Sequence, residues 1–199
     1  MLRSLAIVAL VAFVAVAAVP VAPVHAADNL VPGKILIVKP GKLQKFIAKP
    51  ISPAVFPPPA GANSPIIKPW FVWFKWFNFW FHINTSIPQW KGLGNPPGSK
   101  GYKYKGAGTL ADPCKVVLIK EKIIKGVCKG PILTPDPPHP SPVLVQVGAG
   151  DLSDRYCAEF GGTEIKNDAS LLKRKDAPAP ATCASPSGAF VDGTSGSLF

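Results

Sequence analysis

Proline decides first what this chain can become. Of its 199 residues 24 are Pro, and 18 more are Gly. Each proline fixes φ at about −65° and removes an N–H donor, so it ends helices and stays out of central strand positions. Between these breaks lie short apolar runs, many of about four to eight residues, the length of a strand. The sequence therefore predicts an all-β, sandwich-like domain of short antiparallel strands with sparse helix.

Individual segments fit that expectation. Lys34-Ile-Leu-Ile-Val-Lys39 and Lys42-Leu-Gln-Lys-Phe-Ile-Ala-Lys49 read as strands around Pro40-Gly41. Pro then Gly suits a type II turn, whose twist fits a two-residue hairpin badly, so a longer or bulged connection is expected. Residues 50 to 69 hold seven prolines and read as an irregular loop of polyproline II character. Tyr102 to Lys105, Val143 to Val147 and Arg155 to Phe160 are further strands, with a proline-rich link at 131 to 142. Asp168 is placed to cap a short turn of helix through Leu171 and Leu172. Ala177-Pro-Ala-Pro180 is extended, and residues 184 to 199 read as a disordered C-terminal tail.

The N-terminus has the three-part layout of a secretory signal peptide. Arg3 supplies a positive charge, Leu5 to Val19 give fifteen apolar residues, and Val24-His25-Ala26 places small residues at the −3 and −1 positions of a cleavage site. As a helix, that stretch would reach only ~22 Å, short of the ~30 Å needed to span a bilayer core. Residues 1 to 26 are thus expected to be removed, leaving residues 27 to 183 as one β-rich domain that is secreted or held in the cell envelope.

All four cysteines follow the leader, and an even count in an exported chain implies two disulfides. Cys114 to Cys128 reads as a hairpin folded about Glu121. In that register Cys114 faces Cys128, Val116 faces Gly126 and Leu118 faces Ile124. Cys114–Cys128 is then the first bridge, and Cys157–Cys183 remains as the second. Closing a loop of this size contributes ~3 kcal/mol in the chain-entropy model. No C-x-x-C spacing occurs, so no metal site is expected.

The densest feature is Trp70-Phe-Val-Trp-Phe-Lys-Trp-Phe-Asn-Phe-Trp-Phe-His82, with nine aromatic residues in thirteen. As a helix, Lys75, Asn78 and His82 would share one side. Aromatic and β-branched content favours a strand, which is the reading adopted. Two roles are open to it. It is a core strand buried on both faces, or Trp70, Trp73, Trp76 and Trp80, with Lys68, Lys75 and Lys91, form an exposed binding patch for a membrane interface or a stacked ligand.

Charge is unevenly distributed along the chain. Ala27 to Ala111 carry eleven lysines and one acid, a net +10, whereas ten basic residues balance ten acids from Asp112 onward. Such an excess points to an anionic partner, an envelope polymer or a membrane surface. Only Arg155 and Arg174 are arginines beyond the leader, which disfavours specific nucleic-acid recognition, since that depends on the guanidinium fork.

Catalytic signatures are missing. No G-x-S-x-G surrounds a serine. Gly92 to Gly101 superficially resembles a phosphate loop but lacks the G-K-[ST] order. His139 reads as a solvated loop histidine, and a carboxylate pair among Glu121, Glu159, Glu164 and Asp168 depends on their separation in space. No cofactor is expected.

With Gly98-Ser-Lys-Gly-Tyr-Lys-Tyr-Lys105, Asp112-Pro-Cys-Lys-Val-Val-Leu-Ile-Lys120, Val127-Cys-Lys-Gly130, Tyr156-Cys-Ala-Glu-Phe-Gly-Gly162 and Ala177-Pro-Ala-Pro-Ala-Thr-Cys183, the chain resembles a group of uncharacterised secreted bacterial proteins. The likeness covers residues 98 to 183 and, more loosely, Gly33 to Lys49. It implies secretion, strands and four paired cysteines, with no assigned activity, and the aromatic run departs from it. The expected function is a non-enzymatic envelope or secreted module that binds anionic surface polymer. The alternatives are a membrane-active cationic protein and, more weakly, a secreted hydrolase.

Overall fold

The computed structural model describes residues 27–76, 79–130, 138, 139, 142–186 and 190–192. The expected leader lies outside these residues, as does most of the link at 131 to 142. The described chain is all-β. Its strands are β1 (Ala27–Leu30), β2 (Gly33–Lys39), β3 (Leu43–Ala48), β4 (Trp70–Trp76), β5 (Phe79–Thr85), β6 (Trp90–Gly92), β7 (Tyr102–Tyr104), β8 (Cys114–Lys120), β9 (Ile123–Lys129), β10 (Val143–Ala149), β11 (Asp154–Phe160), β12 (Thr163–Asp168), β13 (Leu171–Ala177) and β14 (Phe190–Asp192). A single 3₁₀ turn, Ile87–Gln89, is the helical content among the described residues.

The strands form two sheets. One runs β1-β11-β10-β4-β5-β14 and the other β12-β13-β2-β3-β9-β8-β7-β6. Pairing is antiparallel except at the two edges of the smaller sheet, where β1 lies parallel to β11 and β14 parallel to β5. The inner faces meet in one core, with Val72, Phe74, Ile83, Val145 and Phe160 on one side and Leu36, Val38, Phe46, Ile119 and Ile124 on the other. Phe46 and Phe74 meet edge to face at 6.0 Å between the sheets, the arrangement that the ring quadrupole favours. Phe46 can lie flat over β9 because its cross-strand partner is Gly126; a Cβ there would sit 2.1 Å from the ring.

Aromatic hydroxyls fasten the proline-rich loop over this core. The Tyr102 and Tyr156 hydroxyls donate to the carbonyls of Pro57 (2.6 Å) and Val55 (2.5 Å), and the Trp70 indole N–H donates to Asn63 O at 2.9 Å. Burial raises the pKa of both tyrosines, so they remain neutral donors.

Several local expectations are corrected. The aromatic run is a hairpin of β4 and β5 rather than a single strand. Thirteen extended residues would span ~43 Å at ~3.3 Å each, beyond an ordinary strand, whereas folding back pairs Trp73 with His82 and Lys75 with Trp80. The 114–128 hairpin does pair Cys114 with Cys128, but a bulge between Cys114 and Val116 shifts the remainder. Val117 faces Gly126 and Ile119 faces Ile124, so the turn becomes the two-residue Glu121-Lys122 connection that strand twist favours. Both expected disulfides are present.

Asp168 caps no helix. Its carboxylate accepts from the N–H groups of Ser170 (2.8 Å) and Leu171 (3.0 Å), which is the expected capping chemistry in the tight turn joining β12 to β13. Strand wins here because β13 pairs with β2 through Leu172 and Val38, both buried. His139 is also buried rather than solvated. Its backbone N–H donates to Asn167 Oδ1 at 2.7 Å, and its carbonyl accepts from Arg174. In the segment read as a tail, Phe190–Asp192 forms β14. The connection after β2 is three residues long, with the Lys42 N–H donating to Lys39 O and Gly41 at φ 66°, as a Pro-Gly type II turn requires.

Candidate anion-binding face

The seven residues proposed as one patch are not brought together. Trp70 and Trp76 point into the core between the sheets. Trp73 and Trp80 lie on the other side of the hairpin, buried with Leu144 against Phe71, Leu152 and Ala184. The Cys157–Cys183 bridge carries the chain to this side, and Gln146 and Arg155 donate to Ala184 O. Lys75 lies over the Trp80 ring at 5.6 Å, and Lys68 is ion-paired with Asp151. Lys91 stands apart on β6, in the other sheet. The four carboxylates considered for catalysis are also scattered. Glu121 sits in the β8–β9 turn, Glu159 on β11, and Glu164 and Asp168 on β12, where they pair with Arg174 and Lys166.

A different cluster emerges on the outer face of the eight-stranded sheet. Period-two alternation buries one side of each strand: Leu36 and Val38 on β2, Gln44 and Phe46 on β3, Val117 and Ile119 on β8, Ile124 and Cys128 on β9. The opposite side therefore carries Lys39, Lys45, Lys91, Lys103, Lys120, Lys125, Lys129, Lys173 and Lys175, all exposed or half-buried. Six adjacent strands, β2-β3-β9-β8-β7-β6, contain no Asp or Glu at all. Of the nine lysines, only Lys175 has a carboxylate within ion-pair range among the described residues, Asp176 at 3.9 Å.

The lysines are not crowded together; they alternate with aliphatic side chains. Lys45 lies opposite Ile37 on β2 and Val127 on β9; Lys125 lies opposite Ile47 on β3 and Leu118 on β8. Leu43 separates Lys39 from Lys129, Leu118 separates Lys125 from Lys103, and Lys173 faces Ile37. Like charges directly opposite one another destabilise a sheet, and this register avoids that at nearly every position. The intervening aliphatics are half-buried, so part of each apolar side chain stays accessible between the lysines. Lysines two strands apart are ~10 Å from one another, about one Debye length in physiological salt. Their mutual repulsion is thus screened, yet an anion lying on the face meets several at once.

Two pairs break the rule, one of them Lys173 opposite Lys166 on β12, where Asp168 pairs with Lys166. The other is Lys91 and Lys103, direct cross-strand partners at the β6–β7 edge. At one corner of the face an open cleft of about 470 Å³ between two hairpin tips is lined by Lys39, Lys42, Pro40 and Ser170, which extends the cationic field past the sheet edge.

Sequence reasoning located an excess of charge in the first half of the chain, whereas the lysine face draws on both halves. Five lysines of the face, Lys120, Lys125, Lys129, Lys173 and Lys175, come from the half whose net charge is zero. The available signal was strand parity, lysine at outward positions in strands without acids. Compared with protein-family models, curated proteins and solved structures, the chain matches none of them.

Proposed function

We propose that this chain is a non-enzymatic module, exported from the cytoplasm, that holds an anionic polymer of the cell surface or its surroundings on the outer face of the eight-stranded sheet. The observation that carries this reading is the acid-free array of lysines spread over six adjacent strands. Counter-ion release from a polyanion drives binding to such an array, with no deep pocket needed. The leader-like N-terminus supports export, and the two disulfides fit an oxidising compartment. A membrane-active role has less support, because Trp70, Trp73, Trp76 and Trp80 are each less than a tenth exposed.

Dextran sulfate, compared with neutral dextran, tests the proposal. The wild-type protein should bind dextran sulfate with an affinity that falls steeply with salt. The combined change Lys45→Glu, Lys103→Glu and Lys125→Glu should abolish binding. Changing Lys34 and Lys68, which are already paired with Asp176 and Asp151, should matter little. A folded triple variant that binds as well as wild type would refute the assignment of the face.

A further inference from the structure

The register of the lysine face points to a narrower ligand class. Resting on the reading above, we infer that the bound polymer is a linear acidic polysaccharide lying across the strands, with its anionic group on alternate sugar residues. Across the sheet, cation and aliphatic alternate strand by strand. One line reads Lys173, Ile37, Lys45, Val127; a second reads Lys39, Leu43, Lys129; a third reads Lys125, Leu118, Lys103. Within these stretches a lysine recurs at every second strand; beyond them the first line continues to Val116 and the third begins Lys175, Ile35, Ile47, so the alternating stretches are three or four strands long.

Neighbouring strands are ~4.8 Å apart, close to the length of one pyranose in an extended chain. A glycan crossing the strands therefore meets an ammonium group at one sugar and an aliphatic side chain at the next. An uncharged sugar can set its apolar C–H face on Ile37, Leu43 or Leu118. A carboxylate at that place would be pressed against apolar surface with no cation opposite, which is costly. A polymer running along a strand meets the same alternation at a spacing that does not fit its sugars. On β9 it would pass Ile123, Lys125, Val127 and Lys129 at a period of two residues, ~6.6 Å, longer than one sugar and shorter than two. At the far edge Lys91 and Lys103 stand side by side, so the third line ends on a doubled cation suited to an anionic chain end.

The test uses the exported full-length protein and three polymers of matched length. Hyaluronate carries its carboxylate on alternate sugars, polygalacturonate on every sugar, and dextran on none. At physiological ionic strength hyaluronate should bind at least about tenfold more tightly than polygalacturonate, the ratio that one unpartnered carboxylate would impose. Dextran should not bind.

Ile37→Thr keeps a β-branched strand residue on the exposed face but removes the apolar platform between Lys173 and Lys45. It should reduce the hyaluronate preference while leaving polygalacturonate binding and the melting temperature near wild type. Polygalacturonate binding as tightly as hyaluronate, or more tightly, would overturn the alternating-sugar inference and leave the polyanion reading standing. So would an Ile37→Thr variant with an unchanged preference. Failure to bind either acidic polymer, or dextran sulfate, would overturn both.

Discussion

Replacing Trp70 with alanine separates a structural aromatic run from a membrane-active one. Trp70 is fully buried on β4. Its ring meets Trp90 at 5.9 Å and Tyr156 at 6.1 Å, and its indole N–H donates to Asn63 O at 2.9 Å. Truncating a buried Trp costs about 3–5 kcal/mol through lost transfer energy and the cavity left behind. The unpaired Asn63 carbonyl adds about 1 kcal/mol, the low end of the range because Asn63 is part-exposed and water can reach it. The total, about 4–6 kcal/mol, is comparable with the whole stability of many domains, about 5–15 kcal/mol. Trp70→Phe keeps most of the ring packing and should cost about 1–2 kcal/mol, mainly from the lost hydrogen bond and the smaller ring. Urea unfolding with both disulfides intact, read by near-ultraviolet circular dichroism, measures both; the midpoints should shift in that order at constant slope. A Trp70→Ala protein that unfolds within about 1 kcal/mol of wild type would refute the packing account, since surface changes fall in that range. If it also lost binding to anionic vesicles, the aromatic run would have to be reassigned to a membrane patch.

Two smaller perturbations test the electrostatics. Lys91→Gln removes the like-charge partner of Lys103 and should stabilise the fold by about 0.2–1 kcal/mol at low salt, an effect that fades as salt rises; it should also weaken polyanion binding. Loss of stability on making Lys91→Gln would show that this edge carries no uncompensated repulsion. Burial raises the Asp151 pKa, but the Lys68 ammonium and Ser153 more than offset this, and the group is held at about 2 against an ordinary 3.8. A depressed folded-state pKa means that the carboxylate stabilises the fold fully above the unfolded value and ceases to as pH falls through about 2. Asp151→Asn should therefore be slightly less stable than wild type at neutral pH, by at most about 1 kcal/mol because the pair is partly exposed. Acid titrations of the two proteins should converge below pH ~2; a gap of constant size down to that pH would mean the charge is not the cause.

Much of this architecture was legible because proline leaves few alternatives. The strands at 34–39, 143–147 and 155–160 lie between breakers and alternate or run apolar, and β2, β10 and β11 cover them. The cysteine pairing was legible for a similar reason: a fourteen-residue separation folded at its middle sets Cys114 opposite Cys128. What failed was register by one residue. A turn centred on Glu121 and a turn made of Glu121-Lys122 differ by a single position, and the bulge after Cys114 reconciles the second with the same disulfide. Bulges leave no composition signal, yet each reverses which residues face the core beyond it. The aromatic run failed differently. Both sides of the hairpin carry aromatics, because one packs in the core and the other sets Trp73 and Trp80 against Leu144, Leu152 and Ala184, so no clean alternation marked where the chain turned back.

The same one-residue shift bears on function. With the register symmetric about Glu121, Val116 and Leu118 would share a face with Cys114, whose side chain is in the core, and Val117 and Ile119 would face outward. The bulge sets Val116, Leu118 and Lys120 outward and buries Val117 and Ile119. Leu118 then stands between Lys125 and Lys103, and on the line Ile47, Lys125, Leu118, Lys103 aliphatic and cation alternate from β3 to β7. Without the bulge Leu118 would be in the core and that outer position would hold a different β8 residue. Forming the Cys114–Cys128 bridge on one side and presenting the lysine array on the other thus demand opposite parities of the same strand. A strand can meet both demands only if it contains one extra residue between them, and Lys115, itself exposed at the bulge, is that residue.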